Sequence, residues 1–92
     1  MARFASLRHD GGRMLVNPDH VNRVDVARAP LNLYPAKSPL HGKIVIEIGI
    51  LYHAGGMERC IVSSEPHPNQ EYMMSDAEKT VEKFLLDLSS SH

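Results

Sequence analysis

The sequence predicts an α+β fold of about five mostly antiparallel strands, strongly curved or partly closed into a barrel, with one C-terminal helix. Three observations predict it. Ile44, Ile46, Ile48, Ile50 and Tyr52 recur at strict period two, the spacing that puts alternate side chains on one face of a strand. Two double-glycine turns, Gly11-Gly12 and Gly55-Gly56, each separate a pair of short apolar runs, as hairpin connections do. Ser75-Asp76-Ala77-Glu78 matches a capping box, and apolar residues at helical spacing follow it.

The first strand is expected over residues 3–8, where Ala5 and Leu7 alternate with Ser6 and Arg8 ahead of the turn-forming Asp10-Gly11-Gly12. Met14 to Val16 returns as its partner. Asn17-Pro18-Asp19 ends that strand, because proline has no amide to donate and Asn and Asp close turns through their own side chains. Val21 to Arg28 reads as a third strand, with Val24 and Val26 on one face and Arg23 and Asp25 on the other, hence one buried face.

Residues 29–42 contain Pro30, Pro35 and Pro39 and show no period. Irregular segments of this length are uncommon in small domains and tend either to be functional or to pack as a cover. Lys43 to His53 is the central strand, and Met57 to Ser64 returns beside it. Val45 and Leu51 lie opposite the isoleucines, so part of the second face is also expected to be covered. Pro66 and Pro68 mark a connector up to Met74. The helix then runs over about residues 75–88, and Ala77, Val81, Phe84, Leu85 and Leu88 form its apolar stripe.

Ninety-two residues suit a single domain, 1–92, since two halves would each be too small to bury a sufficient core. With no Trp, three Tyr and two Phe, that core is built from aliphatic side chains, and a partner subunit would help it. Net charge is -1, which gives no global reason to expect nucleic acid. The charge is uneven: residues 1–30 carry five Arg against three Asp, residues 65–92 six acids against two Lys. A basic strand region facing an acidic helix is the simplest reading, ahead of a phosphate-binding patch. The lone cysteine, Cys60, excludes an internal disulfide, and neither a signal-peptide pattern nor a membrane-length apolar run is present. A cytoplasmic protein without membrane insertion is expected.

No convergent catalytic set is visible, so the chain reads as a non-enzyme without a cofactor. Cys60 sits in a strand pattern, where a thiol acts as a small core hydrophobe rather than a nucleophile. Asp19 and His20 are adjacent in a turn and point apart. The six histidines show no metal-ligand spacing; His9 and His53, at the two hairpin turns, are the weak metal candidates if they meet in space. Tyr72, Met73 and Met74 form an apolar patch before the helix, and Leu86 falls opposite the helix stripe, where a monomer would place a polar residue. These four are the expected partner contacts.

Leu7, Gly11, the run Met14-Leu15-Val16-Asn17-Pro18-Asp19, Val21, Val24-Asp25, Gly56, Cys60-Ile61-Val62 and Ser64 together carry a family likeness. In these residues, and in the place and polarity of the last helix, the chain resembles the small bacterial flagellar FlbD-like family, associated with flagellar and swarming motility. Two connections are longer than in that pattern, around Leu31 to Leu40 and from Pro66 to Met74. The resemblance implies a small interaction or adaptor protein of bacterial origin, working with a protein partner or with itself as a homodimer. The alternative reading is a small ligand- or metal-binding protein using the His9/His53 end.

Overall fold

The computed structural model describes residues 4–30, 33–66 and 74–89. Among these the chain forms β1 (Ala5–His9), β2 (Gly12–Val16), β3 (Val21–Arg28), β4 (Ile44–Tyr52), β5 (Met57–Ser64) and α1 (Asp76–Ser89). A single 3-10 turn, Pro18–His20, joins β2 to β3. The strand count, the antiparallel pairing and the C-terminal helix are those the sequence predicts.

Closure into a barrel is not seen. β1 and β2 form a two-stranded hairpin, while β3, β4 and β5 form a separate antiparallel sheet in that order. The reason lies at Asn17-Pro18-Asp19. Asn17 Oδ1 accepts the Asp19 amide at 3.0 Å, Pro18 is buried, and the turn redirects the chain before β3 begins. β3 then pairs with β4 instead of β2.

Each double glycine supplies one backbone conformation that other residues rarely adopt. Gly12 has φ 132° and Gly55 has φ 99°. In the first hairpin His9 pairs with Gly12, so Asp10 and Gly11 alone make the turn.

The isoleucines of β4 do face the core. Ile44, Ile46, Ile48 and Ile50 are buried with Val62 of β5, and on the same side lie Ala5, Leu7 and Val16 of the hairpin and Ala77, Val81 and Phe84 of α1. The hairpin and the helix thus form a second layer against one face of the sheet, here called the inner face. Ser75 caps the helix as its sequence predicts: its Oγ accepts the Glu78 amide at 3.2 Å, and its own amide donates to Glu78 Oε1 at 3.4 Å. The helix itself starts one residue later, at Asp76.

β3 departs from expectation. Val24 is only half-buried and Val26 is 44% exposed, because α1 packs mainly on β1, β5 and β4. The predicted buried face of β3 is a margin. Between residues 33 and 42 no strand or helix forms; the amides of Ser38 and His41 donate to the carbonyls of Pro35 and Ser38 in tight turns that lead to β4.

Candidate functional site

Two features of the three-stranded sheet lie outside the core: its outer face and its two edges. Alternation along β4 sends Val45, Glu47, Gly49 and Leu51 to the outer face. Opposite them stand Asp25 and Ala27 of β3 and Arg59 and Ile61 of β5. Val45 is fully buried and Leu51 half-buried, so part of this face is covered, as the sequence suggests.

Over Gly49 the outer face holds a mostly apolar groove of about 630 Å³, bounded at one end by the hairpin tip, His9 to Gly11, and at another by Met57. Gly49 makes the groove possible. A Cβ built there would lie 4.0 Å from Asp25 Cβ and from Met57 Sδ, in ordinary contact with both. Its signal in the sequence is a glycine among period-two isoleucines at an outward position, passed over because the isoleucines dominate the pattern.

Charge around the groove is mixed and largely engaged. Asp25 Oδ1 pairs with Arg23 Nε at 3.2 Å, and both side chains are exposed. The Arg59 Nε–H points to Met57 Sδ at 3.5 Å. Glu47 stands exposed between Ala27 and Ile61. Nothing here joins a nucleophile to a base. The Cys60 thiol is pushed up by burial first and by the charges of Glu58 and Asp10 after that, which keeps it protonated near neutral pH.

The edges differ from each other. On the β5 edge, Asp10 behaves as one residue of an extra strand: its amide donates to the Ile61 carbonyl at 2.9 Å, and its Oδ1 accepts the Ser63 amide at 3.0 Å. Its Oδ2 also accepts the Ser63 hydroxyl at 2.6 Å. The sequence shows Asp10 only as a turn former. Next along β5, Ser64 Oγ accepts the Ala77 amide at 2.9 Å and ties the first turn of α1 to the same strand. On the β3 edge no such partner is found among the described residues.

His9 and His53 do not share a site. His9 Nδ1 accepts the Gly11 amide at 3.1 Å beside the Asp10 contact with Ile61 and Ser63. His53 follows Tyr52 at the other end of β4, where its amide donates to the His20 carbonyl at 2.9 Å. Ile61 and Ser63 stand opposite Glu47 and Val45, about six to eight strand residues from His53 and so roughly 20–26 Å away at strand rise. Among the described residues no group of three or more His, Cys, Asp or Glu side chains is placed to hold a metal ion.

Of the expected partner contacts, Leu86 is 61% exposed and Met74 lies at the edge of exposure, while Tyr72 and Met73 fall outside the described residues. Phe4 and Leu15 are also exposed. Leu15 could have been read from the sequence, since it alternates with Met14 and Val16 and so takes the outward side of the hairpin. No described helix is long and apolar enough to cross a membrane. Comparison with models of known protein families, with curated proteins and with solved structures finds no match.

Proposed function

We propose that this protein is a non-enzymatic interaction module of the bacterial cytoplasm whose outer-face groove seats an apolar side chain of a partner protein. The groove over Gly49 carries this reading. It is concave and mostly apolar, rimmed by Asp25, Glu47 and Arg59, which suits a buried anchor with a polar surround. The engagement of Asp25 with Arg23 and of Asp10 with Ser63, and the protonated Cys60 thiol, favour binding over chemistry. The resemblance of Leu7 to Asp25 to the FlbD-like family supports a partner connected with motility.

The test uses a glycine that accepts a side chain. Gly49→Leu places its Cβ in ordinary contact and its branches in the groove, leaving the inner face alone. A displayed random-peptide library panned against the wild-type protein is expected to enrich sequences with a common apolar anchor, and Gly49→Leu is expected to lose them. Equal enrichment on both proteins, with the variant folded by circular dichroism, would overturn the proposal.

A further inference from the structure

The second layer of the molecule, the β1–β2 hairpin with α1 beside it, has a side that faces away from the sheet. Two periodicities decide what stands on it. Ala5, Leu7 and Val16 point into the core, so alternation turns Ser6, Arg8, Arg13 and Leu15 outward, and all four are exposed. On α1 the buried residues are Ala77, Val81 and Phe84. At 3.6 residues per turn Lys79 and Leu86 fall directly opposite them, with Glu82 and Lys83 to either side, and these four are exposed as well.

This side is basic. His9 pairs with Gly12 across a two-residue turn, which makes that pair the hydrogen-bonded one; Arg8 and Arg13, one step on, form a non-hydrogen-bonded pair, where opposed side chains approach most closely. Like charges so placed repel. No described carboxylate forms an ion pair with Arg8, Arg13, Lys79 or Lys83. The acids that share the side are Glu82 and, at its margin, Asp76, which borders the same small cleft as Arg8. Four cations thus stand against two acids, in a chain whose net charge is -1. The same side also carries projecting apolar groups. Among the described residues four large apolar side chains are more than half exposed, and three of them belong here: Leu15, Leu86 and Phe4, which continues the outward series of Ser6 and Arg8.

We propose that this side docks on the surface of a bilayer rich in anionic phospholipid. The four cations meet lipid phosphates, Phe4, Leu15 and Leu86 reach into the boundary between headgroups and acyl chains, and nothing spans the membrane. Charge complementarity selects an anionic occupant, and shape selects the bilayer. The three apolar side chains project singly from two strands and a helix, whereas the mostly apolar groove lies on the far face of the sheet. A folded protein would need a pocket for each projection; a lipid interface accepts them wherever they fall. Nucleic acid would satisfy the arginines and leave the leucines in water. The inference is independent of the groove over Gly49, and both faces can be occupied at once.

Sedimentation of the full chain with vesicles gives the test. Vesicles of phosphatidylcholine with about 30 mol% phosphatidylglycerol, in about 0.1 M salt, are expected to carry the protein down, and phosphatidylcholine alone is expected to leave it in solution. Arg8→Glu and Arg13→Glu are each expected to weaken binding about fivefold or more. Leu15→Ser with Leu86→Ser leaves the charge unchanged and is expected to weaken it about tenfold. Arg23→Glu changes the net charge as much as either single reversal, but on the outer face of the sheet, and is expected to stay within about twofold of the wild type. All these positions are exposed, and circular dichroism checks that each variant folds. Equal sedimentation with both vesicles, none with the anionic ones, or a loss on Arg23→Glu as large as on Arg13→Glu would each overturn the proposal. So would duplex DNA that binds as tightly as the anionic vesicles and ignores the two leucine substitutions. Failure of peptide enrichment on the groove bears on none of these results.

Discussion

The two edges of one small sheet are finished in opposite ways. β5 makes three side-chain ties: Asp10 accepts from Ser63, Ser64 Oγ accepts the Ala77 amide, and the Tyr52 hydroxyl donates to Glu58 Oε1 at 2.7 Å. Among the described residues the β3 edge has a long-range side-chain tie at Arg28, whose Nη1 lies 3.8 Å from Glu78 Oε1, between partly exposed groups. Backbone pairing with β4 is otherwise similar on the two sides. The difference teaches that edge protection here is a property of particular side chains and not of strand length or sheet position, so each edge can be opened or closed by a single substitution.

The largest expected effect strikes what both edges share. Ile48 is fully buried on the central strand, and Ile48→Ala is expected to lower unfolding free energy by about 2–5 kcal/mol, the range for removing a buried aliphatic side chain. A loss below about 0.5 kcal/mol in a denaturant titration would show that the sheet's inner face is not the core.

Asp10→Ala opens the protected edge. It removes a carboxylate that accepts both the amide and the hydroxyl of Ser63, and about 1–3 kcal/mol of stability is expected to go with it. Faster amide exchange at Ser63 and Ile61, with Val24 and Val26 unchanged, is the signature that separates edge opening from general loosening.

A smaller effect is expected at high pH. The Tyr52 phenol is pushed up to about 12, by burial first and then by its hydrogen bond and charge contact with Glu58. The ordinary value is 10.0, so below pH 10 both folded and unfolded chains hold the proton and the contribution is fully present. From pH 10 to 12 the unfolded chain ionises first and stability falls. Tyr52→Phe is expected to flatten that part of a stability–pH curve. A slope equal to that of the wild type would remove Tyr52 from the ties on the β5 side.

The smallest effect belongs to β3. Arg28→Ala breaks a long, partly exposed ion pair and is expected to cost about 0.5 kcal/mol or less. A loss near that of Asp10→Ala would erase the asymmetry between the edges.

Local chemistry made most of the elements legible in the sequence. The period-two isoleucines, the two glycine pairs, the Asn17 turn and the Ser75 capping box each act within a few residues, and β3 and β5 occupy the spans their patterns mark. What escaped is what depends on distant partners. The pattern of β3 promises a buried face, yet whether Val26 is covered depends on where α1 lies, and that is set by Ala77, Val81 and Phe84 meeting the hairpin and β4. Nothing near Asp10 signals Ser63, and nothing near Gly49 signals that the outward face above it stays open. The separation of His9 from His53 has the same origin, since two hairpin turns meet only if their strands point the same way.

The Asp10 contact spans 53 residues of chain, and that separation also governs the order in which the molecule assembles. The β1–β2 hairpin, with its two-residue turn, can form in microseconds. Its tip has no edge to latch onto until β4 and β5 have paired, and contacts between distant residues are the slow ones. Because the entropy of closing a loop grows only logarithmically, lengthening segment 29–42 changes this step little; each doubling of the loop costs about 0.6 kcal/mol. Until the latch closes, the nascent sheet carries two open edges instead of one, and in that interval it is most exposed to joining the wrong strand.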